Sequence, residues 1–142
     1  MMNFTFGIIT NGNNNLNLFK VIESIKKEKI ENYEIIVVGG QNLNDDKVKF
    51  ISFNENEKND WITQKKNLIV KNASFENIVF LHDYVILNDG WYEGQLKKGN
   101  DFYVRIDKIQ NLGGERFRDW CIWPHNENFM DELIGRDCII PY

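Results

Sequence analysis

Cysteine is scarce in this chain. Cys121 and Cys138 are the only two. They lie far apart and form no CxxC pair, so they give no zinc signature. Two reduced, partly buried thiols are the simpler reading. Long apolar runs are also missing. No stretch approaches the ~20 apolar residues of a membrane-spanning helix. No basic segment followed by an apolar run marks the N-terminus as a leader. The expected localisation is therefore cytoplasmic, with attachment to the periphery of a membrane left open. An excess of positive charge is missing too. Seventeen Lys and Arg face 21 Asp and Glu, for a formal net charge of -4. A nucleic-acid backbone selects a basic surface, so nucleic acid is not an expected partner. The chain has no GxGxxG fingerprint and no GKS or GKT phosphate loop, which speaks against a dinucleotide oxidoreductase and a P-loop NTPase. Histidine occurs twice, at His82 and His125, and neither completes a recognisable Ser-His-Asp arrangement.

What is present alternates between two periodicities. Residues 4–9 form a short apolar run that reads as a buried strand, closed by Thr10-Asn11-Gly12. From Leu16 the spacing becomes helical, with Leu18, Val21, Ile22 and Ile25 on one face and Asn14 or Asn15 as the cap. Lys26, Lys27 and Lys29 suit its C-terminal end. Residues 33–38 (Tyr-Glu-Ile-Ile-Val-Val) read as a second strand covered on both faces, stopped by Gly39-Gly40. Residues 48–53 read as a third strand. A second helix is expected over 61–73, with Trp61, Leu68, Ile62 and Ile69 facing inward. Residues 77–81 read as a fourth strand running into His82-Asp83, with a brief extension at 85–87. Residues 102–106 read as a fifth. The order β-α-β-β-α-β-β predicts an α/β domain with a mainly parallel sheet.

Open sheets of this kind bind ligands beyond the carboxyl ends of their strands. Thr10-Asn11-Gly12, Gly39-Gly40 and His82-Asp83 all fall at such ends. A carboxylate at the end of a buried strand needs a partner. A Mg²⁺ or Mn²⁺ ion shared with a diphosphate is one, with Asp83 as ligand and His82 as ligand or support. A plain turn cap at Asp83 beside a half-buried histidine is the alternative. Thr10, Asn11 and Gly12 can present amides to a nucleobase, or form only a polar turn. Gly39 and Gly40 permit close backbone approach, or only a turn. Of Lys65 and Lys66, either can reach a diphosphate as a point charge or lie on a solvated helix face. Trp91 and Tyr92 fit core packing or ring stacking. The cluster Gly113-Gly114-Glu115-Arg116-Phe117-Arg118-Asp119-Trp120 reads as a phosphate clamp or an ion-paired loop.

In this order the motifs resemble family 2 glycosyltransferases and related GT-A enzymes. The carriers are Phe6-Gly7-Ile8-Ile9-Thr10-Asn11-Gly12, the strand 33–38, Lys65-Lys66-Asn67 at an Ala-Arg-Asn-like element, and residues 78–87 followed by Gly90-Trp91. The resemblance covers residues 4–95, about two-thirds of the chain. It implies a Rossmann-like GT-A fold, a three-layer α/β/α sandwich, truncated relative to that family's usual length. Residues 1–142 would form one nucleotide-sugar-binding domain, with 1–95 the donor-binding core and 96–142 the start of an acceptor-side region. It further implies a nucleotide-diphosphate sugar donor, transfer to an acceptor hydroxyl, and a Mn²⁺ or Mg²⁺ ion. Nucleotide-binding residues would be Thr10, Asn11, Gly12, Gly39, Gly40 and Lys66, and metal-binding residues Asp83 and His82. The chain departs from the family in having glycines where acids usually follow the second strand, and one aspartate where two usually bind the metal. The catalytic base is unassigned; Asp119, Asp131 and Glu132 are candidates by acidity alone. The acceptor is a glycan, lipid or protein, and a homo-oligomer is compatible with the sequence. The competing expectation is a sugar-nucleotide-binding module without turnover, completed by a partner or by a missing C-terminal half.

Overall fold

A computed structural model of the chain describes residues 2–58, 61–101, 103–105, 107, 109 and 113. Contacts divide the chain after Gly99, and the architecture below is that of the first unit, Met1–Gly99. Its elements are β1 (Phe4–Ile9), α1 (Asn15–Lys27), β2 (Tyr33–Val38), β3 (Val48–Ile51), α2 (Ile62–Asn72), β4 (Asn77–His82) and α3 (Trp91–Lys98). The four strands form one all-parallel sheet in the order β3-β2-β1-β4. The expected α/β fold is therefore the observed one.

The topology fixes where the sheet reverses direction. From β1 through β2 to β3 the chain moves one way across the sheet, and α2 then carries it back to β4 on the other side of β1. The reversal falls between β1 and β4, which is the topological switch point of an open parallel sheet. Register keeps the strand ends level: Ile9 pairs with both Val38 and His82, and Val38 with Ile51. Two further bonds extend the ladder beyond these pairs, from Thr10 N to Val38 O at 3.1 Å and from Gly39 N to Ile51 O at 3.0 Å.

Side chains alternate between the two faces of the sheet. On one face Ile9, Ile36 and Val38 pack with Ile69 of α2, joined by Ile51, Phe53, Leu68 and Ile78. On the other, Trp91 of α3 lies against Phe4 and Phe6, ring centroids 5.2 and 5.5 Å apart. Trp91 is thus part of the aromatic core. Opposite crossover directions with right-handed connections place α1 on that same face, away from α2. Leu18, Val21, Ile22 and Ile25 of α1 are buried, as their spacing predicts. Asn14 is its cap, accepting from Asn17 N at 3.1 Å. Glu28, just past α1, accepts from Gly90 N and Tyr92 N at 3.0 and 2.7 Å, so the end of α1 caps the start of α3.

Some expected elements differ. The third strand ends at Ile51, because Asn54 turns the chain through its contact with Asn56 N. Residues 85–87 are not strand, since a turn closed from Val85 N to His82 O leads the chain off the edge. Residues 103–105 are not strand either, and the flanking 102 and 106 lie outside the described residues. Ile62 is exposed rather than inward: it is the first residue of α2, and burial on that helix begins one turn later, at Lys65 and Ile69. The helix Trp91–Lys98 is absent from the sequence reading.

Gly7 makes the fit of α2 possible. A Cβ there would run into the Ile69 side chain. Gly7→Ala should cost about 1–3 kcal/mol in urea unfolding, and combined with Ile69→Ala, which removes the clashing atoms, it should cost less than the sum of the two single losses.

At the opposite end of the sheet, Glu34 Oε1 accepts from Thr5 Oγ1 at 2.6 Å and from Ser74 N, while Oε2 accepts from Ser74 Oγ at 3.1 Å. Burial pushes its pKa up, but these hydrogen bonds and the charge of Lys49 outweigh that and hold it below 4.5. A carboxyl with a lowered folded pKa adds stability above its unfolded value and loses it as pH falls through the folded value. The stability gap between wild type and Glu34→Gln, read from urea midpoints, should therefore be widest at neutral pH and shrink below pH 4.5.

Candidate functional site at the strand ends

Thr10 follows β1 and is 4% exposed. Each of its polar groups has a partner from a different part of the chain. Its amide joins Val38 O. Its carbonyl accepts from Lys65 Nζ at 2.9 Å. Its hydroxyl donates to Asp83 Oδ2 at 2.6 Å and accepts from Gly12 N at 2.9 Å. The bond to Asp83 spans the switch point between β1 and β4. Asp83 is thus turned toward the first loop, with Oδ1 the oxygen that Thr10 does not engage.

The glycines explain how the neighbouring loops come so close. Gly12, Gly39 and Gly40 have φ of 83°, 93° and 68°, a region that side chains strain to enter. A Cβ on Gly12 would lie 2.8 Å from Gly40 Cα, and one on Gly40 would lie 3.1 Å from Gly12 Cα. The close approach they permit is that of one loop to the other. Asn11 is exposed and closes a local turn by accepting from Asn13 N at 3.1 Å.

The two adjacent lysines of α2 diverge, as successive helix positions must. Lys65 points into the rim and is 2% exposed. Its ammonium meets Glu55 Oε1 at 2.5 Å and lies 5.0 Å from the Phe53 ring centroid. Lys66 instead stands 5.4 Å over the ring of Phe80 on β4. Phe80 and His82 share a face of that strand, so the Lys66 charge is felt at the imidazole. Burial first, and then Lys66, hold the His82 pKa below 6.5, against the opposing pull of Asp83. The shift favours the neutral imidazole, the form able to ligate a metal. Its ring stacks on Tyr84 at 5.3 Å.

The structure thus brings Thr10, Gly12, Gly39, Gly40 and Asp83 to one rim, with His82 and Lys66 on its β4 side. Asp119, Asp131, Glu132, His125, both cysteines and all of the 113–120 cluster except Gly113 lie outside the described residues. Two rim residues escaped sequence reasoning in this role. Lys65 read as diphosphate-facing or solvated, although it sits four positions before Ile69 on the buried stripe. Glu55 has no local signal, because only the fold brings it to Lys65.

Among the described residues, no group of three His, Cys, Asp or Glu is gathered to hold a metal. The donor set at the switch point is one carboxylate beside an imidazole. That is too few for a resident metal, but it fits an ion held mainly by a diphosphate and water. A shallow depression elsewhere, lined by Phe19, Ser24, Ile86 and Asp89, includes none of the rim residues. No helix among the described residues is long and apolar enough to cross a membrane. No known protein-family model matches this chain, and no curated protein matches it.

Replacing Thr10 should test the bridge across the switch point. Thr10→Val keeps the shape and strands the Asp83 oxygen and the Gly12 amide, so it should cost about 1–3 kcal/mol in thermal or urea unfolding. Thr10→Ser keeps the hydroxyl and should recover most of that loss.

Proposed function

We propose that this chain binds a nucleotide-diphosphate sugar across the β1–β4 switch point and transfers the sugar to an acceptor hydroxyl. The observation that supports this most is the Asp83 carboxylate, held at the switch point by the Thr10 hydroxyl at 2.6 Å. The order of motifs along the sequence adds a glycosyltransferase of the GT-A type as the reaction class. The glycine-lined loops after β1 and β2 offer backbone to the nucleoside.

Lys66 lies on the β4 side of the rim, where its charge attracts the diphosphate. Asp83, with His82 beside it, would hold a Mn²⁺ or Mg²⁺ ion. That ion, when bound, neutralises charge on the departing diphosphate. In the transfer, the bond from the anomeric carbon to the diphosphate oxygen breaks, and one to the acceptor oxygen forms. The acceptor proton passes to a base that is not assigned among the described residues.

A thermal-shift screen of UDP, GDP, CDP and ADP with and without Mn²⁺ tests the reading. A ligand of the native state must raise the melting point. One nucleotide should do so in a Mn²⁺-dependent way, and Asp83→Ala should abolish the Mn²⁺-dependent part. An unchanged shift in Asp83→Ala would sink the assignment. Binding by wild type without release of nucleoside diphosphate from any donor and acceptor pair would make the chain a binding module.

A further inference from the structure

Among the described rim residues, Glu55 has shielded carboxylate oxygens that the fold leaves without a hydrogen-bond donor. It lies in the loop between β3 and α2, with exposed asparagines at 54 and 56 on either side. A loop residue so placed can hold its carboxylate in water at little cost. Instead the side chain turns inward. A quarter of it stays exposed, yet both carboxylate oxygens are shielded from solvent. Oε1 meets the Lys65 ammonium at 2.5 Å, an ion pair that is off the hydrogen-bond direction. Oε2 has no hydrogen-bond donor among the described residues.

A shielded carboxylate oxygen without a donor is costly, more so than a neutral acceptor. Neutralising Lys65 accounts for Oε1 and leaves Oε2 unexplained. The location supplies a reason. A Cβ on Gly39 would lie 3.3 Å from Glu55 Oε1, and the same Lys65 ammonium that pairs with Glu55 binds the carbonyl of Thr10. The open acceptor therefore stands beside the loops after β1 and β2, across the rim from Asp83. The rim presents a cation-seeking acid at the β4 end and a donor-seeking acid at the β2 end.

We propose that Glu55 is a nucleoside-reading residue: its carboxylate accepts a hydrogen bond from a sugar hydroxyl or base N–H of the bound nucleotide. Lys65 is its positioning residue, fixing the carboxylate and the Thr10 carbonyl together. This rests on the donor-binding reading above. Because the acceptor faces the nucleoside and not the diphosphate, its loss must weaken nucleotides and spare pyrophosphate.

Titration calorimetry of the full chain with Mn²⁺, using the four nucleoside diphosphates and inorganic pyrophosphate as probes, tests this. Glu55→Gln should weaken the preferred nucleoside diphosphate about tenfold or more while leaving pyrophosphate unchanged. It should also flatten the preference among the bases or sugars tested. Glu55→Gln leaves Lys65 without its counter-charge, so the double variant Glu55→Gln/Lys65→Met, which removes both charges, guards against misfolding. It should show the same selective loss. Unchanged nucleotide affinity in both variants, with wild type binding normally, overturns the inference and leaves Glu55 as a counter-ion. Equal weakening of nucleotide and pyrophosphate also overturns it. Wild type that binds no nucleotide overturns the donor-binding reading itself.

Discussion

The strand-end region depends on how the central strand is closed off. β1 is flanked on both sides, so the residue that follows it emerges between two other strand ends, where every polar group must find a partner. Thr10 meets that demand with four bonds, to Val38, Lys65, Gly12 and Asp83. Each ties it to a different feature. The β2 end is held through the ladder, α2 through the ammonium, the first loop through its own amide, and the β4 end through the carboxylate. A hydroxyl is needed because it donates and accepts at once, which valine of similar shape does not.

The buried lysine follows from the same closure. An ammonium in the interior costs far more than one at the surface unless it is paired and hydrogen-bonded. Lys65 has an anion in Glu55, an acceptor in the Thr10 carbonyl and an aromatic face in Phe53. An apolar residue would fill this stripe of α2 at less risk, as Ile69 does one turn on. Such pairs add little net stability over apolar packing, so stability is a poor reason to keep one here. Geometry is a better one. The pair connects the β3–α2 loop, α2 and the end of β1, three segments that share no strand ladder.

The fold was largely legible in the residues, because each strand reads as a short apolar run ended by glycine or a polar turn. Tyr33–Val38 and Asn14 carried enough local chemistry to be placed without coordinates. The α3 helix was not legible: Trp91 and Tyr92 gave aromatic packing away, but Gly94 and a length of two turns hid the period. Of the rim, the strand-end positions followed from topology alone, so Thr10, Gly39 and Asp83 could be grouped. The partners could not. Lys65 is read correctly only when its spacing from Ile69 outweighs its charge. Glu55 is brought in by a contact across ten residues of sequence.

The closeness of these contacts also limits how the site can work. Gly12 and Gly40 already touch, and Thr10 already reaches Asp83, so the described rim has little room between its loops. A ligand bound as proposed would have to lie across the rim or open it. An ion taking Asp83 Oδ1 leaves the Thr10 bond in place and keeps the carboxylate oriented. An ion taking both oxygens breaks that bond and leaves the hydroxyl to find another acceptor. The first route needs no rearrangement of four linked bonds, and a preorganised carboxylate is worth more to a charged ligand than one that must first be freed. The hydrogen bond that hides one oxygen of Asp83 is thereby what aims the other.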